Sequence, residues 1–340
     1  MPRRRNSVTM RDVADLAGVS KQTVSVVIND KPGITEETTQ RVLAAVEELG
    51  YRRDLVARSL RTGRTRSVTL VASDTSSPFI GKLAVAAEDY AHASGYSLIL
   101  HNTHDVVERE AAYFQAAVER AVDGVLFVSA TDDSPGLDIL RSAGIPFVAV
   151  DRTPFPYDDL AVVLDNVEAG RLAAEHLLSL GHTQIAHIGG PLKLYMSRER
   201  LKGFSQALEA GGAASGMFVC EAGGWGFAEG YQAMQRVLED ASHCTAVFAS
   251  SDELAMGAMK AIREAGLRVP QDISILGVDD IDAAAYACPP LTTIRQSITE
   301  LAVLGLRFLF DVLDGKEPDQ NKIIMAPELV VRESTTSPRD

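Results

Sequence analysis

Four side chains within five residues, Lys21, Gln22, Thr23 and Ser25, carry the charge and hydrogen-bonding groups needed to reach bases or phosphates. Further on come Arg52, Arg53, Arg58, Arg61, Arg64 and Arg66, six cations in fifteen residues opposed only by Asp54. A solvated surface usually mixes its signs. A one-signed run suits a phosphate backbone, where each neutralised phosphate releases a counterion. Elsewhere the reactive chemistry is sparse. His101 and His104 form an H-x-x-H after an apolar run, a pattern met more often in solvated loops than in metal sites. His187 sits inside an apolar strand, as a hydrogen-bonded core histidine does. No G-x-G-x-x-G follows a strand, and GGWGFAEG has the wrong spacing and position. There is no phosphate-binding P-loop, no G-x-S-x-G and no H-E-x-x-H. Neither catalysis, nor a metal, nor a cofactor is expected.

These side chains need elements to hold them. Thr9 to Leu16 reads as a short helix, with Thr9 and Asp12 spaced as a capping box and Val13 and Leu16 as its apolar stripe. Gly18 breaks it, and Ser20 caps a second helix, Lys21 to Ile28, whose Val24, Val27 and Ile28 face inward. Two short helices around a glycine turn make a helix-turn-helix. Thr35 caps a third helix with Glu36 and Glu37 in its first turn; Val42, Leu43, Val46 and Leu49 form its stripe, and Gly50 ends it. From Ser67 the pattern changes. SVTLVAS, YSLILH, DGVLFVS and PFVAVD read as buried strands separated by helical stretches, and TQIAHIGG, GMFVCE, TAVFASS and DISILGVDD form a second series. The fold class is therefore α/β: an all-α helix-turn-helix module followed by two doubly wound lobes. In such a pair, a ligand sits at the carboxyl ends of the strands, between the lobes.

Composition agrees. The chain has 340 residues, 46% hydrophobic and 23% charged, and no apolar run long enough to span a membrane. The net charge of −13 is unevenly divided: residues 1–66 hold thirteen basic against eight acidic residues, +5, leaving −18 for the rest. That asymmetry predicts a basic module with its own anionic partner joined to a large acidic body. Cys220, Cys244 and Cys288 are too few and scattered for a disulfide framework or a zinc site, and no apolar stretch follows the basic MPRRRNSVTM, so a reducing cytoplasm is expected.

VTMRDVADLAGVSKQTVSVVIND, followed by LGYRRDLVARSL, resembles the start of the LacI/GalR family of bacterial transcriptional regulators. DNVEAGRLAAEHLLSLGHTQIAHIGG, RERLKGF, ASSDELAMGAMKAIREAGLRVPQDISILGVDD and PPLTTIRQ resemble that family's periplasmic-binding-protein-like sensor. The resemblance implies a DNA-binding domain over residues 1–51 and a hinge helix and linker over 52–66. An effector-binding and dimerisation body follows over 67–332, its lobes about 67–163 with 293–322 and about 164–292 with 323–332. Residues 333–340 are left as a tail. It implies operator contact by Thr9, Ser20, Lys21, Gln22, Thr23, Ser25, Val26 and Asn29, and by Ala57, Arg58 and Leu60 of the hinge, where Leu60 wedges into the minor groove. Two positions depart from the pattern: Val26 stands where the family usually has Arg, and Arg53 where it usually has Pro.

In the body the resemblance implies an effector pocket containing Phe79, Asp151, Arg200, Trp225, Ser251 and Asp279. A guanidinium and a carboxylate bind vicinal hydroxyls while an aromatic face covers a sugar ring. Structural alternatives stand beside these roles. Arg200 and Asp279 could form only an interlobe salt bridge, Trp225 could be core, Phe79 lies in a loop after Pro78, and Asp252 reads as a helix N-cap rather than a ligand. The expected protein is an effector-controlled repressor of double-stranded operator DNA, a homodimer without the leucine heptads of a tetramer, responding to a small molecule, a carbohydrate first. The rival readings are a regulator controlled by a partner protein, a solute-binding protein and a sugar-metabolising enzyme.

Overall fold

The computed structural model describes residues 8–29, 32–51 and 63–339, which fall into two compact units, Met1–Thr65 and Arg66–Asp340. The expected hinge, with Ala57, Arg58 and Leu60, lies outside the described residues.

Among the described residues the first unit contains three helices: α1 (Met10–Ala17), α2 (Lys21–Ile28) and α3 (Glu36–Leu49). Their ends follow the caps written in the sequence. Thr9 Oγ1 accepts from the amides of Arg11 and Asp12, while the Asp12 carboxylate accepts the Thr9 amide at 2.7 Å, closing the capping box. Ser20 accepts from Thr23 N and Thr35 from Thr38 N. Gly18 takes φ +66° after α1, a conformation that favours glycine. Val13, Ala14, Ala17, Val24, Val27, Ile28, Val42 and Ala45 close one small core. Two stripe positions differ from expectation. Leu16 is 47% and Leu43 51% exposed. On α3 the row i, i+3, i+4, i+7 is Val42, Ala45, Val46 and Leu49, which leaves Leu43 about 100° away, on the outer face.

The second unit has two sheets of six strands. The first runs β11-β5-β4-β3-β1-β2, all parallel, from β1 (Ser67–Ala72), β2 (Ser97–Asn102), β3 (Gly124–Phe127), β4 (Phe147–Val150), β5 (Ala161–Leu164) and β11 (Lys322–Met325). One face is covered by α4 (Pro78–Ala93) and α12 (Ile298–Leu313), the other by α5 (Val107–Glu119) and α6 (Leu137–Ala143). The second sheet runs β12-β10-β9-β8-β6-β7, from β6 (Ile185–Gly189), β7 (Met217–Glu221), β8 (Ala246–Ala249), β9 (Ser274–Asp279), β10 (Thr292–Arg295) and the antiparallel β12 (Glu328–Val330). The helices α7 (Asn166–Ser179) and α8 (Tyr195–Ala210) cover one face, and α9 (Phe227–Asp240) and α10 (Asp252–Glu264) the other. A short α11 (Asp282–Tyr286) follows β9.

Three details correct the sequence reading. Strand β10 stays in the second sheet beside β9, and β11 pairs with β5 in the first, so the chain crosses between lobes just after residues 295 and 325 rather than 292 and 322. TTIR and KIIM are both short, with no glycine or proline inside them to mark a boundary, so pattern alone could not place the crossing. Strand β5 was not singled out in the sequence. The expected tail is part of the second lobe: Ser334 is fully buried, accepts from Thr292 N and donates to Ile275 O at 2.6 Å, and Thr336 N donates to Ser274 Oγ.

Candidate functional site

In the first unit, burying Val24, Val27 and Ile28 turns the opposite face of α2 outward. Lys21 and Gln22 are exposed, and Val26 is half-buried beside them. Other expected contact residues are partly committed to the fold: Ser20 and Thr23 hydroxyls share a hydrogen bond of 2.9 Å, and Asn29 Nδ2 donates to Ser25 O at 2.6 Å and to Ser25 Oγ. Thr9 is exposed but caps α1. The side chains left for a partner on α2 are chiefly Lys21 and Gln22.

In the second unit the two lobes enclose a cavity of about 630 Å³ lined by Phe79, Asp151, Arg200, Trp225, Ser251 and Asp279 together. Asp151, Ser251 and Asp279 come from the carboxyl ends of β4, β8 and β9, where side chains of a doubly wound sheet converge. Phe79 is placed not by a loop but by the first turn of α4, after Pro78 at its start, and is buried. Asp151 at φ +63° and Asp279 at φ +118° hold backbone conformations that non-glycine residues rarely adopt, and such strain persists only where the surroundings impose it.

Among the described residues Arg200 is the largest fully buried side chain. Its seat is built by two glycines. A Cβ on Gly170 would lie 2.1 Å from Arg200 O and one on Gly203 1.8 Å from Val167 O, so α7 and α8 cross at backbone contact. This crossing brings Asn166 to the guanidinium: Asn166 Oδ1 accepts from Nε at 3.0 Å and Nη2 at 2.6 Å, and Ser250 O accepts from Nη1. Three of five N–H groups are thereby used. Burial lowers the Arg200 pKa, while the fields of Asp279 and Asp151 oppose the shift. Arg200 and Asp279 both belong to the second lobe and form no ion pair among the described residues, so they are not an interlobe bridge. No donor among the described residues bonds the Asp279 carboxyl, whose pKa is raised well above the carboxylate range by burial and by Asp252. Asp151 accepts from Gln296 Nε2 at 2.9 Å, and burial raises its pKa too.

Trp225 is half-buried on the loop between β7 and α9, its ring lying on Gly190, where a Cβ would come within 2.4 Å. Ser251 holds that loop: its hydroxyl donates to Trp225 O and accepts from Leu254 N, each at 3.1 Å, as the N-cap of α10. Asp252 is therefore not the cap. It is buried, accepts from Thr293 Oγ1 and Ile281 N, and has its pKa pushed up to about 7 by burial.

Contacts across the lobes frame the cavity. Ser77 donates to Glu253 at 2.6 Å, Asp132 accepts from Tyr195 N and Arg198, and the rings of Phe155 and Tyr195 stack at 4.2 Å. The histidines stand apart from it. His187 is fully buried against Phe248 and Phe204, hydrogen-bonded to Phe248 O, and kept neutral by burial with a pKa of about 4. His101 stacks on Tyr113, His104 is exposed, and no metal-binding group occurs among the described residues. Sequence reasoning did not single out Asn166 or Arg152 in the site; the dipeptides Asp165-Asn166 and Asp151-Arg152, each just past a strand, were the available signals.

Residues 9–54 match the family described as bacterial regulatory proteins, lacI family, and residues 174–335 match a periplasmic binding protein-like domain. The HTH-type transcriptional repressor PurR of Pasteurella multocida is 37% identical over 334 residues, covering 97% of this chain and 99% of that protein. The lac repressor dimer bound to operator and the anti-inducer ONPF superposes with a TM-score of 0.88 at 29% identity, covering 97% of this chain and all of that one. The CelR–cellobiose complex superposes at 0.71 with 32% identity, over 96% and 99% of the chains. The chain belongs to the LacI family: it is a DNA-binding transcriptional regulator with an effector-binding body, and not an enzyme.

Proposed function

We propose that this regulator is a repressor acting in the cytoplasm, which binds its operator as a homodimer and responds to a small carbohydrate in the cleft. One observation carries the effector assignment. Fully buried Arg200 keeps two N–H groups without a protein acceptor among the described residues, beside the unbonded Asp279 carboxyl and the Trp225 ring in one cavity. A guanidinium and a carboxyl together satisfy neighbouring hydroxyls, and an indole covers the apolar face of a sugar ring. The volume of about 630 Å³ lies within the usual range for small ligands. The cellobiose held by CelR supports the same chemistry.

On the DNA side, Lys21 and Gln22 carry direct readout from α2, with Val26 offering apolar contact. A two-fold dimer presents two copies of α2 to a roughly palindromic operator. Ala57, Arg58 and Leu60 complete the contact through the hinge. Effector and operator affinities then change reciprocally, because both depend on the same lobe arrangement.

Trp225 is the only tryptophan in the sequence, so intrinsic emission reports directly on the cleft. The test is a titration of the full chain with neutral sugars and sugar derivatives, followed by emission and thermal melting. A carbohydrate should shift the emission, and at a hundredfold its dissociation constant should add about 2.7 kcal/mol of stability. It should also change operator affinity in a gel shift. Silence of every carbohydrate in emission and melting overturns the effector reading. Operator binding by residues 67–340 alone overturns the DNA reading.

A further inference from the structure

A second guanidinium lines the cleft, on the other lobe. Arg152 follows Asp151 past the end of β4, and its side chain is 8% exposed. Its one protein acceptor among the described residues is Asp105 Oδ1 at 2.8 Å, on a carboxylate that is itself 40% exposed. The buried acids around it give it no hydrogen bond: the two oxygens of Glu110 accept from Ala130 N and Ser134 Oγ, and Asp151 accepts from Gln296. Four of the five Arg152 N–H groups thus lack a protein acceptor, yet none of its nitrogens is both sealed off and unpaired. Arg152 lines the cavity, whose wall also includes Ser73, Ala130 and Asp105 from the carboxyl ends of β1, β3 and β2.

A cation more than nine-tenths buried with one half-exposed acceptor is costly to keep, and packing does not require it, since an aliphatic side chain fills such space without the desolvation cost. A planar fork with spare parallel donors matches two oxygens carried on one carbon or phosphorus. We propose that Arg152 is an anion-reading subsite, and that the effector is an acidic carbohydrate, with its carboxylate or phosphate on Arg152 and its hydroxyls on Arg200 and Asp279. This rests on the carbohydrate reading of the cleft and narrows it. The cleft holds acids as well, but they accommodate such a ligand. Asp105 stands on an exposed loop and can turn to water when the ligand's acid group replaces it. Burial raises the pKa of Asp151, Glu253 and Asp279, which favours protonated forms that donate to ligand oxygens instead of repelling them. Exposed Lys193 adds a third cation to the lining. A ligand spanning Arg152 and Arg200 joins the two lobes through its own two ends.

Calorimetric titration of the full chain with matched pairs tests this: glucuronate against glucose, galacturonate against galactose, glucose 6-phosphate against glucose, and ribose 5-phosphate against ribose. In at least one pair the acid should bind at least tenfold more tightly than its neutral parent, and which acid does so separates carboxylate from phosphate. Arg152→Gln should bring that pair to within threefold. Arg152→Lys, which keeps the charge and loses the fork, should recover only part of the preference, and it stands in if the Gln variant does not fold. Neutral sugars that bind while every acid binds equally or more weakly overturn the proposal and leave the carbohydrate reading intact. So does an Arg152→Gln variant that weakens acid and neutral sugar by the same factor. If no member of any pair binds, both readings fall together.

Discussion

The Ser251 hydroxyl makes two bonds that can be separated by substitution. It accepts from Leu254 N, capping α10, and donates to Trp225 O, fixing the loop that carries the aromatic wall. Ser251→Ala removes both. Loss of an N-cap costs about 0.5–2 kcal/mol, and loss of a neutral hydrogen bond about 0.5–1.5 kcal/mol. The sum, about 1–3.5 kcal/mol, should lower the melting temperature of a body this size by roughly 2–7 °C. Ser251→Asp keeps an acceptor for Leu254 N but, when ionised, offers Trp225 O no donor. It should therefore recover most of the stability while leaving the loop untethered. The assay is the emission of the lone tryptophan together with effector affinity. Both variants should alter emission without ligand and weaken effector binding, by about fivefold if about 1 kcal/mol of aromatic contact is lost. Unchanged emission in both variants, or equal destabilisation by Ala and Asp, would refute the idea that this hydroxyl holds the loop.

Three further outcomes follow from the same geometry. Asp279→Asn, which tolerates a positive φ, should fold normally, bind operator, and weaken effector by about 0.5–1.5 kcal/mol, the scale of a neutral hydrogen bond, since burial favours the protonated carboxyl; calorimetry showing full affinity would remove Asp279 from the site. Val26→Arg should shift operator preference toward guanine at the facing base pair by about 1–3 kcal/mol, measured as a ratio between operators at fixed salt, and a uniform gain would show that Val26 does not face a base. The His187 imidazole, held near pKa 4 by burial, leaves the folded chain unable to take up the proton that the unfolded chain binds below about pH 6.5. Stability should thus fall as pH drops from about 6.5 to 4, by about 3 kcal/mol at most from this group, and His187→Gln should flatten that limb in acid-titrated denaturant melts.

Much of this was legible in the sequence because it is local. Thr9, Ser20 and Thr35 announce their helices by side-chain chemistry that acts within one turn, and the structure puts all three at the caps. Leu16 and Leu43 misled because the small alanines Ala14, Ala17 and Ala45, which carry little hydrophobic signal, hold core positions while the two leucines stay exposed. The six expected pocket residues do share one cavity, but what each side chain does was not readable. Whether Ser251 faces the cavity or its own helix, and whether Arg200 meets a carboxylate or Asn166, depends on partners tens of residues away. Arg152 was hidden for the same reason: its meaning lies in the acceptors it lacks.

The crossing of β11 into the first sheet also governs how the protein can be made. The face formed by Leu70, Leu126 and Val148 is covered by α12, where Gly305 meets Val150 so closely that a Cβ would lie 2.6 Å away. Neither α12 nor the edge strand Lys322–Met325 exists until nearly the whole chain has been synthesised. At roughly 5–20 residues per second, the interval between the end of β5 and the end of α12 lasts roughly 7–30 s. Throughout that interval a nascent first lobe has only α4 over that face, leaving the ground that α12 will cover exposed, while the second lobe is being built between its two halves. Both lobes thus wait for C-terminal strands, β11 for the first and then β12 with buried Ser334 for the second, and a protein cut after residue 164 should yield an aggregating fragment rather than half a sensor.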